Sequence, residues 1–164
     1  MPSNLIYNTT AAGDALSNTA TETSLARWSI EANRLSAGKK FNFESLVRVT
    51  AQNSTDTLLV SLRFGSSTTI ASNTSCGATA AVDAAVSDVA VVKGSILVQS
   101  ATRAILTFQA MAPDAEGTTT TYQWSEILTI AANTAYYLDV CGTWSVASSS
   151  NSCQAESLDV VEIA

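Results

Sequence analysis

Histidine is absent from this 164-residue chain. That absence removes a Ser-His-Asp triad, an imidazole general base and any histidine-ligated metal site. Positive charge is also scarce. Eight Lys and Arg stand against fourteen Asp and Glu, a formal net charge of −6. A nucleic-acid binder needs the opposite balance, a basic patch that neutralises phosphates, so no nucleic-acid partner is expected. Charged residues make up 13% of the chain, about half the usual share of roughly 25%. Only seven glycines are present, and none forms a phosphate-cradling loop. No apolar run approaches the ~18 residues of a membrane helix, and no membrane partner is expected. The longest, such as Val89-Ala90-Val91-Val92, are strand-sized. Met1-Pro2-Ser3-Asn4-Leu5-Ile6-Tyr7 lacks the basic and apolar regions of a secretory signal, so synthesis in a cytoplasm is expected. Cys76, Cys141 and Cys153 lack zinc spacing. They read as small buried hydrophobes with free thiols. A Cys141–Cys153 bridge across the last hairpin is the alternative.

What the chain has in abundance is Ala, Ser and Thr, 26, 22 and 21 of them. Hydrophobic residues still reach 46%, so the chain can build a core. A domain of about 150 residues buries roughly 70% of its unfolded surface, which is enough without metal or disulfide staples. Hydroxyl-rich, charge-poor and foldable together point to a β protein with Ser and Thr on its outer faces.

Period-2 alternation dominates from Glu22 onward. Ala26, Trp28 and Ile30 alternate with Leu25, Arg27 and Ser29. Phe41, Phe43, Ser45, Val47 and Val49 form one face of a long strand over residues 40–52. Leu58, Val60, Leu62 and Phe64 form another, and residues 68–72 read as a short strand. Residues 73–84 read as a loop in which 78–85 allow a short helix. Residues 86–99 read as a strand bent or bulged at Lys93-Gly94. Ala104, Leu106, Phe108 and Ala110 follow, then a strand over 119–130. Tyr136, Leu138, Val140, Gly142 and Trp144 line one face of the next, and 155–163 is the last. About eight or nine short strands without a long helix predict a sandwich or barrel. The expected fold class is all-β: a jelly-roll-like β-sandwich of about eight strands with a short N-terminal arm. Residues 1–21 are assigned to an arm or edge strand, and 22–164 to a single β-sandwich domain. Ser29-Ile30-Glu31-Ala32-Asn33 echoes Thr129-Ile130-Ala131-Ala132-Asn133, which suggests two equivalent corners.

Few residues invite chemistry. Paired carboxylates must converge across a scissile bond to hydrolyse a glycan, and most of the acids here read as lying in turns or on outer faces. Asp114-Ala115-Glu116-Gly117 offers loop oxygens to calcium but lacks the regularly spaced ligands of such a site. Cys141 has no basic neighbour in sequence to activate it. Catalytic, cofactor-binding and metal residues are therefore all assigned as none. Trp28 and Trp144 fall on apolar faces and read as core. Tyr122 and Trp124 are open to either a buried or a sugar-stacking role.

Three segments resemble a known pattern. They are residues 21–39 (TETSLARWSIEANRLSAGK), 58–65 (LLVSLRFG) and 145–152 (SVASSSNS). Together they resemble a broad class of small jelly-roll virion proteins of tailed bacteriophages. The resemblance covers most of residues 20–164 through loose turn-and-strand motifs. It implies a non-enzymatic capsid decoration (cement) protein with no cofactor. Such a protein acts as a homotrimer and binds the major capsid protein on the outer surface of the phage head. The alternative is a tail or fibre module recognising host surface carbohydrate. Leu5, Ile6 and Tyr7 are the expected capsid or subunit contacts, because an arm carrying them can add a strand to a neighbour.

Overall fold

The computed structural model describes residues 4–9, 13, 15–53, 55–114 and 117–163. Eleven strands follow one another: β1 (Asn4–Thr9), β2 (Leu16–Ser17), β3 (Thr23–Ile30), β4 (Lys40–Ala51), β5 (Leu58–Gly65), β6 (Thr74–Ala78), β7 (Val89–Ser100), β8 (Arg103–Pro113), β9 (Thr119–Thr129), β10 (Tyr136–Trp144) and β11 (Ser152–Ile163). They form two antiparallel sheets packed as a sandwich. The larger runs β1-β11-β4-β7-β8-β9, with β2 also on β11. The smaller runs β3-β10-β5-β6.

The pairing is nested. β1 pairs with β11, β3 with β10, β4 with β7 and β5 with β6. First joins last, and each inner pair follows, as in one long hairpin wound into two Greek keys. That is the strand order of a jelly roll, reached here with eight of the strands. The others account for the excess over the expected eight. β8 and β9 are a hairpin that widens the large sheet beyond β7. β2 continues the line of β1 along β11, with the Gly13 amide donating to the Ala155 carbonyl between them.

Alternation places the core. Phe41, Phe43, Val47 and Val49 of β4 are buried between the sheets, facing Leu58, Val60, Leu62 and Phe64 of β5. Leu106 and Phe108 of β8, Leu138 and Val140 of β10, and Leu158 and Val160 of β11 complete that layer. Fully burying each such side chain stabilises the fold by about 1.5–3 kcal/mol.

Four local expectations are corrected. Residues 68–72 are not a strand; Ile70–Ser72 is a single 3-10 turn. Residues 78–85 are not helical; Val82 forms an isolated bridge with Leu58, because the extended chain can satisfy its backbone against the β5 edge. β7 is not bulged at Lys93-Gly94. Its pairing with β4 runs through both residues without a shift, and Gly94 instead admits its neighbours closely. Leu25, read as alternating with the Ala26, Trp28 and Ile30 face of β3, is itself buried. The β3–β10 register slips there, so the strand reverses its parity between Leu25 and Trp28. An extra residue in one strand has that effect.

The two echoing segments are both corners where the chain changes sheet. Residues 31–39 carry it from β3 to β4, and 130–135 from β9 to β10. They lie side by side, the Asn33 amide donating to the Ala132 carbonyl. Asn33 has φ +66°, a left-handed conformation that asparagine tolerates better than most residues.

Candidate functional site

The large sheet presents a broad outer face, and register orders it into cross-strand rows. Asp159, Glu44, Lys93, Gln109 and Gln123 form one polar row across β11, β4, β7, β8 and β9. Val161, Asn42, Ser95, Thr107 and Ser125 form the next. A shallow groove of about 580 Å³ lies over these two rows. Ser95 and Thr107 hydroxyls are 2.9 Å apart within it. Among the described residues, Lys40 and Lys93 make no ion pair, although both reach the groove. Apolar rows flank the polar pair. Leu46, Val91 and Met111 lie on one side, and Leu97, Ile105 and Ile127 on the other. Leu97 is 40% exposed and Ile127 60%. The face is therefore a platform with a hydroxyl- and amide-lined trough between apolar ridges.

The three expected contact residues do not share one environment. Leu5 is 58% exposed on β1. Ile6 and Tyr7 are partly buried and pack against the core, and the Tyr7 hydroxyl donates to the Arg27 carbonyl at 2.8 Å. β1 itself is an edge strand of the large sheet.

The small sheet carries a charged network on its outer face, which the sequence did not single out. Arg27, Asp139, Arg63 and Ser75 form one cross-strand row. Asp139 is completely buried. Arg27 Nε donates to its Oδ1 at 2.7 Å, and Ser24 Oγ donates to the same oxygen at 2.7 Å. Arg27 Nη2 also donates to the Thr68 carbonyl at 2.9 Å, and its guanidinium lies 4.9 Å from the Tyr137 ring centre. Alongside, Arg63 Nε donates to Glu22 Oε2 at 2.8 Å and Nη1 to the Asn73 carbonyl at 2.9 Å. Burial alone would raise the Glu22 pKa. The hydrogen bonds from Arg63 and Ser61, with the Arg63 charge, outweigh it and hold the carboxyl below its usual range. The same partnership raises the Arg63 pKa. Every charge here has a partner, and the arginines tie residues 68–73 to the sheet. The chemistry of the network is that of a clamp.

A second polar node sits at the end of the sandwich. Asn151 is fully buried in the loop before β11. Its Nδ2 donates to Asp56 Oδ2 at 2.8 Å, and its Oδ1 accepts the Asn53 amide at 2.9 Å. Gln52 Nε2 donates to Asp83 Oδ1 at 2.6 Å and joins a third segment.

Trp28 and Trp144 are core, as their strand positions indicated. Trp124 is half-buried near the edge of the sandwich, stacked on Phe108 at 4.7 Å between ring centres and on Tyr122 at 5.8 Å. The cysteines are free and buried. Burial pushes the Cys76 and Cys153 thiols up to about 12. Burial, with Asp139 and Glu22 nearby, pushes Cys141 up as well. Cys141 lies on the outer side of β10, whereas Cys153 packs inside beside Gly142, so the two do not pair. Asp114 Oδ1 accepts the Thr118 amide at 2.7 Å and closes its own turn. Ala115 and Glu116 of the acidic loop lie outside the described residues. Among the described residues, no three His, Cys, Asp or Glu side chains gather as metal ligands. No protein-family model matches the chain, and no curated protein matches its sequence.

Proposed function

We propose that this chain is a non-enzymatic structural protein of a tailed-phage virion, a decoration (cement) protein that binds the outside of the head as a trimer and stabilises the capsid lattice. The supporting observation is where the motif residues of the resemblance lie in the jelly roll. Asn33 shapes the β3–β4 corner, Arg63 ties Asn73 to the small sheet, and Asn151 staples the loops at the end of the sandwich. The resemblance thus rests on residues that organise the fold. A cement protein works through many weak contacts multiplied by avidity, and the ridged outer face of the large sheet, with the exposed Leu5 edge, supplies such area.

Quantitative mass spectrometry of purified virions tests this reading. A copy number comparable to that of the major capsid protein is expected. A few copies per particle would move the protein to the tail, and absence would remove it from the virion. The polar trough favours the second reading, a tail or fibre module for host carbohydrate, because amides, hydroxyls and carboxylates match the hydrogen-bonding groups of a sugar. Glycan-array binding lost in Gln109→Ala would support that reading over the first.

A further inference from the structure

Among the described residues the sandwich ends in four main free edges, and three of them are interrupted. The β1 ladder slips between Leu5 and Tyr7. The β3 ladder slips at Leu25. The β6 ladder slips between its partners Leu62 and Arg63. Bulges of this kind are how native sheets stop their edges from pairing with another chain. β9 lacks that protection. Its eleven residues pair with β8 in unbroken register from Thr119 to Thr129. It has no proline and no basic residue, and Glu126 is its one charge. Beside this open edge stands the half-buried Trp124, whose ring stacks on Phe108 and on Tyr122. Ile127 on the other face of the strand is 60% exposed.

The geometry points to β9 as a self-association edge: two copies of this chain join their β9 strands antiparallel about a two-fold axis at Trp124. The strand is self-complementary in that register. Glu126 of each copy then faces Tyr122 of the other, so the only charge meets a hydroxyl rather than its like. Thr121 faces Ile127, Thr119 faces Thr129 and Gln123 faces Ser125, pairs of the kind that stabilise adjacent strands. Trp124 meets its own copy and extends the aromatic stack across the axis. The contact is isologous, so it closes at two and leaves no unpaired β9. It is independent of the three-fold association proposed above; where the two-fold and three-fold axes meet at right angles, a particle using both contacts is a hexamer.

Sedimentation of the full chain over a dilution series tests the pairing. A dimer or hexamer is expected, with a red shift of Trp124 emission on dissociation, since Trp28 and Trp144 are core in either state. Gln123→Lys with Ser125→Lys sets like charges opposite each other twice and should weaken self-association about tenfold. Both positions are exposed, so the thermal midpoint of the dissociated variant should hold. Mixing it with the Gln123→Glu, Ser125→Glu variant should restore a mixed pair. A wild-type monomer, a simple trimer, or a dimer unmoved by these substitutions overturns the inference.

Discussion

Gly94 sits where two neighbours need its space. A Cβ there would lie 2.2 Å from the Thr107 carbonyl oxygen and 2.6 Å from the Phe43 ring. The first contact is backbone of the paired strand and cannot swing away. Gly94→Ala should therefore destabilise the fold by about 1–3 kcal/mol, the usual cost of overpacking. Gly38 has open space around it but φ +86°, so Gly38→Ala should cost closer to 1 kcal/mol. Urea midpoints at unchanged slope would rank the two. The thiols make a second residue-scale prediction. With all three buried and their pKa values raised, none should react with a thiol reagent at about pH 8 in the native protein. All three should titrate in denaturant. Rapid native labelling of any one would contradict its burial.

The elements are held at their ends and outer faces by polar side chains. Asn151 connects the loop before β11 to the β4–β5 turn. Asn151→Ala would leave the buried Asp56 carboxylate and the Asn53 amide short of partners. A loss of about 2 kcal/mol is expected, with faster proteolytic cleavage in the 52–57 turn. On the small sheet, Glu22 bridges from before β3 to Ser61 and Arg63 on β5. Its folded pKa lies below the unfolded value, so its contribution is present above roughly pH 4.3 and is lost as pH falls through the folded value. Glu156 and Glu162 are lowered in the same direction by Gln154 with Arg48, and by Lys39 with Arg34. Glu22→Gln should therefore reduce, not abolish, the drop in melting temperature between about pH 6 and about pH 3. An unchanged drop would show that the Glu22–Arg63 pair contributes nothing on folding.

At the scale of the whole molecule, the proposed function rests on surfaces rather than on a cleft. The large sheet gains its width from the β8–β9 hairpin, which adds two strands to the nested eight. That insertion creates both the ridged platform and the unbroken β9 edge. Deleting the hairpin should thus remove the proposed β9 pairing and much of the groove together. Sedimentation of a chain rejoined from β7 to β10 would check this, provided a cooperative melt shows that it folds.

Much of this architecture follows from the sequence alone. The alternation in β4, β5, β8 and β10 identified their buried faces, because a strand with one face in water must place its apolar residues two apart. Turn residues marked most of the boundaries for an equally local reason. The aromatic cores at Trp28 and Trp144 came from the same pattern. Tertiary structure alone decided the rest. The parity switch at Leu25 depends on the register that β10 imposes, and no local signal marks it. The buried Asp139 looked like an outward-facing acid until Ser24 and Arg27, over a hundred residues away, covered it. The unbroken β9 edge is likewise a property of which strands found partners. Periodicity records which side of a strand is apolar, whereas pairing and burial of charge are set by contacts between segments far apart in the chain.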